Sequence, residues 1–166
     1  QDVSLIKDEN LEDAREKRGS ARVEAYDTAH LSGTNAVGVM IVVDAGVPVK
    51  SEYRTFNIRG VQKNDDIASL REVLSRRLGH PEWPMPQAIV VDGGTTHKKA
   101  AEGMLADAGV GISVVAVVKD ERHRPREVIG AARAGITEAD AVLANSEAHR
   151  FSLARHRSAR SKNMRT

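Results

Sequence analysis

The chain has no cysteine among its 166 residues, which excludes disulfides, thiolate-bound metals and a cysteine nucleophile, and fits a reducing compartment. Aromatic residues are almost as scarce, with two Phe, two Tyr and one Trp, too few for a platform that stacks single-stranded bases. No run of 18 apolar residues occurs and no basic-then-apolar leader opens the chain, so the expectation is a soluble, cytoplasmic protein with no membrane partner. The glycines do not fall at the spacing of a P-loop or a dinucleotide fingerprint, and no serine sits in a nucleophile elbow. A nucleotide-cofactor enzyme and an acyl-transfer hydrolase are therefore disfavoured. The first residue is Gln1 rather than Met, which suggests a piece of something longer.

What is present is enough for one ordinary domain. With 40% hydrophobic residues, a chain of this length buries a core without staples, and a monomer is expected. Residues 1–20 read as a charged segment or the remnant of a linker, and the folded domain is expected over 21–166. The net charge of +2 hides an uneven distribution. Asp2 to Glu16 is mostly acidic, whereas Arg150, Arg155, Arg157, Arg160, Lys162 and Arg165 run to the end without an acid among them. Such a basic end is an electrostatic footprint for phosphate backbones, and equally the solvated face of a frayed helix.

Periodicity divides the domain in two. Arg22 to Tyr26 and Ala36 to Val43 read as strands, the second buried from both sides, and Val47 to Ile58 as a third, more polar strand near an edge. Ile67, Leu70, Val73, Leu74 and Leu78 then recur at helical spacing, with Asn64 as a candidate cap and Gly79 and Pro81 as the stop. A strand over Ala88 to Val91 and a helix from Thr95 or Thr96 follow. Next come a buried strand over Ile112 to Val118 and a charged loop from Lys119 to Glu127. Thr137 and Ser146 read as successive helix caps, the second opening a basic helix. The expected order, β-β-β-α-β-α-β-α, is the layout of an RNase H-like α/β fold, a mixed sheet with helices on both faces.

Three stretches carry the chemistry: Tyr26-Asp27-Thr28-Ala29-His30, Val90-Val91-Asp92-Gly93-Gly94 and Glu147-Ala148-His149-Arg150-Phe151. Two carboxylates at strand ends and an imidazole on a late helix suit a divalent cation that works on phosphate, because hard oxygen donors and a neutral imidazole leave positions open for water and substrate. In open α/β sheets the ligand site lies beyond the carboxyl ends of the parallel strands, where Asp92 falls. Each residue also has a plainer reading. Asp27 can be a turn residue, Asp92 can begin an ordinary Asp-Gly-Gly turn, and Asp65 and Asp66 can complement a helix dipole. His149, placed in the first turn after Ser146, would be kept neutral by the positive end of the dipole, and its plain alternative is a surface histidine. His97, His123 and His156 have no ligand spacing and read as surface or DNA-facing.

The stretch Glu24-Ala25-Tyr26-Asp27-Thr28-Ala29-His30, then Gly33-Thr34, Ser51-Glu52-Tyr53-Arg54-Thr55-Phe56-Asn57-Ile58, Asn64 to Leu74, Val91-Asp92-Gly93-Gly94, and finally Glu147 to Phe151 with His156-Arg157 resemble, in order, the C-terminal endonuclease domain of UvrC. That family is the incision subunit of the bacterial nucleotide excision repair nuclease, and the resemblance runs from about Arg22 to Met164. It implies an RNase H-like endonuclease that cuts damaged double-stranded DNA 5′ to the lesion. It also implies an Asp-Asp-His metal site holding Mg²⁺ or Mn²⁺, formed by Asp27, Asp92 and His149, with Asp66 as a further catalytic acid. Arg150, Arg155, Arg157 and Arg160 would face the DNA backbone, with His30 and Lys98 as further DNA contacts.

The family's lysine after Asp-Gly-Gly is missing, and Thr95, Thr96 and His97 stand there, so Lys98 is the candidate replacement. The resemblance does not extend to the N-terminal nuclease domain, to the segment that binds the UvrB helicase subunit or to the helix-hairpin-helix pair, so weak DNA binding is expected of this chain alone. The alternatives are an endonuclease V-like repair nuclease and a non-catalytic DNA-binding module of the same fold.

Overall fold

The computed structural model describes residues 21–32, 35–59, 61 and 64–165, the side chains of Ser32 and of 159–165 excepted. The charged segment 1–20, the Gly33-Thr34 pair and the side chain of Arg160 thus lie outside the described residues. Seven strands of the described residues form one sheet: β1 (Arg22–Ser32), β2 (Asn35–Asp44), β3 (Val47–Pro48), β4 (Arg54–Ile58), β5 (Ala88–Asp92), β6 (Ser113–Lys119) and β7 (Pro125–Ile129). Four α-helices among the described residues accompany them: α1 (Asp66–Leu78), α2 (Thr95–Asp107), α3 (Ala131–Ala134) and α4 (Glu138–Arg165).

The sheet order is β3-β2-β1-β5-β6-β7, with β4 also paired to β2. β1, β5 and β6 are mutually parallel, while β2 and β7 run antiparallel to their neighbours. Alternation along the strands sends side chains to two cores. Tyr26, Met40, Ile89, Val91 and Ala116 face α1 and α2, where Leu70, Val73, Leu74 and Leu105 meet them. Val23, Ala25, Ile41, Val90 and Val117 face α3 and α4. β5 and the centre of β6 are apolar on both faces because helices cover both sides of the sheet.

The inner stripe of α4 begins with Ala141, Ala144 and Ala148, all fully buried, whose small side chains let the helix lie close on the sheet. Between and beyond these alanines the same side carries the polar Asn145, His149 and Ser152. α4 therefore carries polar groups past the edge where the pairing of β1 with β5 stops.

Four expectations are corrected. The third strand is not continuous over Val47 to Ile58: Pro48 has no N–H for the ladder, a 3₁₀ turn over Lys50–Glu52 follows, and the chain rejoins β2 at Arg54. The charged stretch Lys119 to Glu127 is not all loop, because β7 starts at Pro125 and closes a hairpin on β6. Its exposed, charged residues suit an edge strand and leave no apolar alternation to read. Ser146 caps nothing, since α4 runs unbroken from Glu138, with Thr137 Oγ1 accepting from the Asp140 amide at 3.0 Å. The cap of α1 is Asp65, whose Oδ1 accepts from the Ala68 amide at 3.0 Å, and Asn64 instead takes a left-handed turn.

Candidate active site

The parallel register of β1 and β5 ends at the Tyr26–Val91 pair. Asp27 and Asp92 come next on adjoining strands about 4.8 Å apart, both on the α4 face of the sheet. Asp27 does not end its strand as expected. β1 continues to Ser32 along β2, and only the pairing with β5 stops, which is what opens the space the two acids share.

Around them lies a cleft of about 270 Å³. It is lined by Asp27, Asp92, His149 and Asp66, four of the residues expected from sequence, together with His97, Lys119, His123 and Ser152. His149 places Nδ1 3.3 Å from Asp27 Oδ2, while the Thr28 amide donates to Asp27 Oδ1 at 2.8 Å. Burial, and after it the neighbouring Asp92 carboxylate, push the Asp27 carboxyl above the usual aspartate range. Asp92 Oδ1 meets the Lys119 ammonium at 2.9 Å and accepts from Asn145 Nδ2 at 3.2 Å. His149 stands about three turns inside α4, not in a first turn opened by Ser146. Its partner Asp27 orients the ring.

Asp66, exposed at the start of α1, approaches His30 Nε2 at 3.7 Å, too long for a hydrogen bond. Both His30 ring nitrogens are buried without a partner among the described residues, and His30 does not line the cleft. Lys98 pairs with Glu102 at 3.1 Å, also outside the cleft. Arg150 is held by Glu147 at 2.7 Å, and Arg155 lies over the Phe151 ring. Arg150 and Arg155 line a separate groove with Lys50 and Tyr53, and Arg157 is exposed. The Tyr53 hydroxyl there is pushed up to about 12, by burial first and then by Glu147.

Lys119 and Asn145 were not singled out by sequence reasoning, and His97 and His123, read from sequence as surface or DNA-facing, line the cleft. Asn145 stands one turn before His149 on the same helix face, and Lys119 ends a buried strand beside Asp92; both are positional signals that periodicity carries. His97 owes its place to Gly93, whose φ is +134° and where a Cβ would stand 2.5 Å from the imidazole Nδ1. The close approach is therefore made at Gly93 by His97, while Gly94 faces open space.

Among the described residues no group of three His, Asp or Glu side chains stands at joint ligand distance. The donor set nevertheless fits a hard divalent cation. Two carboxylates sit side by side on neighbouring strands, one of them disfavoured as an anion by its surroundings, with Lys119 beside Asp92. No helix among the described residues is long and apolar enough to cross a membrane.

The family model described as the UvrC RNAse H endonuclease domain matches residues 12–161. UvrABC system protein C of Caldanaerobacter subterraneus is 36% identical over 169 residues, which cover 87% of this chain and 27% of that protein. Its namesake in Acetivibrio thermocellus is 33% identical over 168 residues, covering 85% and 27%. The chain thus spans about a quarter of the length of these curated relatives. Among solved structures, Ciona intestinalis endonuclease V bound to inosine-containing DNA is 17% identical with a TM-score of 0.43, over 72% of this chain and 59% of that one. RNase H1 of Halobacterium salinarum is 11% identical with a TM-score of 0.39, over 61% and 86%. Likenesses that slight bear on neither substrate nor mechanism.

Proposed function

Because the chain belongs to the family of UvrC RNase H endonuclease domains, we propose that residues 21–166 form a divalent-metal-dependent endonuclease that cuts the damaged DNA strand 5′ to a lesion. In the full-length protein it works beside the UvrB helicase subunit in bacterial nucleotide excision repair. The observation that carries this reading is the placement of Asp27 and Asp92 on neighbouring parallel strands, each one residue past the last pair Tyr26–Val91, with His149 Nδ1 3.3 Å from Asp27 Oδ2.

Asp27 and Asp92 would hold Mg²⁺ or Mn²⁺, with His149 at its edge. When bound, the ion supplies Lewis-acid stabilisation of the charge that builds on the phosphate oxygens. Asp66 lines the same cleft from the start of α1 and would orient the attacking water. His149 turns Nδ1 to Asp27, which leaves Nε2 to give or take a proton. Asn145 and the Lys119 ammonium hold Asp92 in place through its Oδ1. Hydrolysis would leave a 3′ hydroxyl and a 5′ phosphate. The basic outer face of α4, with Arg150, Arg155 and Arg157, would follow the duplex backbone.

Asp92→Asn tests the reading in the full-length protein on DNA carrying a bulky adduct. Incision 5′ to the adduct should fall by roughly a hundredfold or more, equivalent to about 3 kcal/mol, while circular dichroism and DNA affinity stay as in the wild type. Incision at near-normal rate in Mn²⁺ would refute it.

A further inference from the structure

Three carboxylates, those of Asp27, Asp66 and Asp92, line the cleft, yet a nuclease must receive a polyanionic strand there. Among the described residues Lys119 is the only lysine or arginine in its lining. Arg150 and Arg155 do not serve there, since they line the other groove. Something on this side must meet the phosphate.

Lys119 ends β6 with its side chain 15% exposed and its ammonium 2.9 Å from Asp92 Oδ1. An ammonium carries three donors, and this pairing uses one. Two remain for the cleft. His123 joins Lys119 from the tip of the β6–β7 hairpin. Its backbone takes φ 60°, in a turn clamped by Asp120, whose Oδ1 accepts from the amides of Arg122 and Arg124 at 2.9 Å each. That clamp turns His123 to the cleft and leaves Arg122, Arg124 and Arg126 along a neighbouring hollow of the same hairpin. His97 completes the lining from the first turn of α2, seated against Gly93. The two rings and the ammonium come from three elements, and neither periodicity nor the expected Asp-Asp-His set includes them.

We propose that Lys119, His123 and His97 form a phosphate-binding wall beside the carboxylate pair, receiving the backbone of the DNA strand to be cut. The inference rests on the nuclease reading for the identity of that strand. It assigns the hairpin a substrate-facing role: its arginines continue the positive surface away from the cleft, while its tip reaches in.

Duplex DNA affinity, followed by fluorescence anisotropy across a salt series in EDTA, tests the wall without any metal or incision. A cation that neutralises one phosphate contributes close to one unit to the slope of log K against log salt. Lys119→Met should lower that slope by about one, and Lys119→Arg, which keeps the charge, should leave it as in the wild type. His123→Ala, on an exposed turn, should weaken binding about fivefold, the weight of one hydrogen bond, without moving the melting temperature. A wild-type slope in Lys119→Met, an equal loss in Lys119→Arg, or undiminished affinity in His123→Ala would overturn the proposal. The Asp92→Asn incision assay stands or falls separately, so the two readings can be told apart.

Discussion

Asp27 is a carboxylate with its side chain only 13% exposed, flanked by a second carboxylate and held above the usual aspartate range by burial. An acid whose folded pKa is raised binds more protons folded than unfolded. Stability of the metal-free protein therefore falls as pH rises from the ordinary aspartate value through the raised one, and the loss is complete above it. Asp27→Asn removes the charge and can still accept from the Thr28 amide. In EDTA at neutral pH it should melt higher than the wild type, with a flatter pH dependence over that window; calorimetry showing an equal or lower melting temperature would contradict this. The same residue shows where sequence reading stops. That Asp27 is a candidate acid is legible from its neighbours, but its raised pKa depends first on burial and then on Asp92, 65 positions away in the chain.

At the scale of elements, the fit of α1 on the sheet decides how firmly the Asp66 side of the cleft is held. Gly38 on β2 lies beneath Val73, so closely that an added Cβ would stand 2.1 Å from Val73 Cγ2. Gly38→Ala should therefore overpack this contact and cost about 1–3 kcal/mol in denaturant unfolding. Val73→Ala in that background should recover part of the loss, and simple additivity of the two changes would argue against direct contact. α1 is tied down at its other end by Arg77, 2% exposed, which donates to the fully buried Glu24 at 2.7 and 2.9 Å. Tyr26 donates to the same carboxylate, and its hydroxyl is held well above the usual tyrosine range by burial and then by Glu24. None of this network was legible, because a glutamate between apolar neighbours on a strand reads the same whether it meets water or a buried arginine. The hairpin of β6 and β7 escaped for a related reason: its turn is held by Asp120 accepting backbone amides, not by a glycine pair.

Across the whole molecule, β1, β5 and α4 bring Asp27, Asp92 and His149 together at the cleft, so an ion held there links segments remote in sequence. Binding to the folded state alone stabilises by mass action, by about 2.7 kcal/mol at a hundredfold excess over Kd. Titrating Mn²⁺ while following thermal unfolding should raise the melting temperature of the wild type progressively. The rise should vanish in the Asp27→Asn/Asp92→Asn double variant. An undiminished shift in that variant would place the ion elsewhere.

Local chemistry in the sequence determined most of the elements: the apolar runs at β5 and β6, the helical spacing of α1 and α2, and the stop at Gly79 depend on residues within a few positions of one another. The Asp27, Asp92 and His149 motifs were visible for the same reason. Tertiary structure alone decided their company. Lys119, Asn145, His97 and His123 join the acids because parallel pairing ends at Tyr26 and Val91, because α4 runs unbroken past that edge, and because a hairpin folds back over it. Those are consequences of strand register and helix packing between distant segments, which no local window of residues contains.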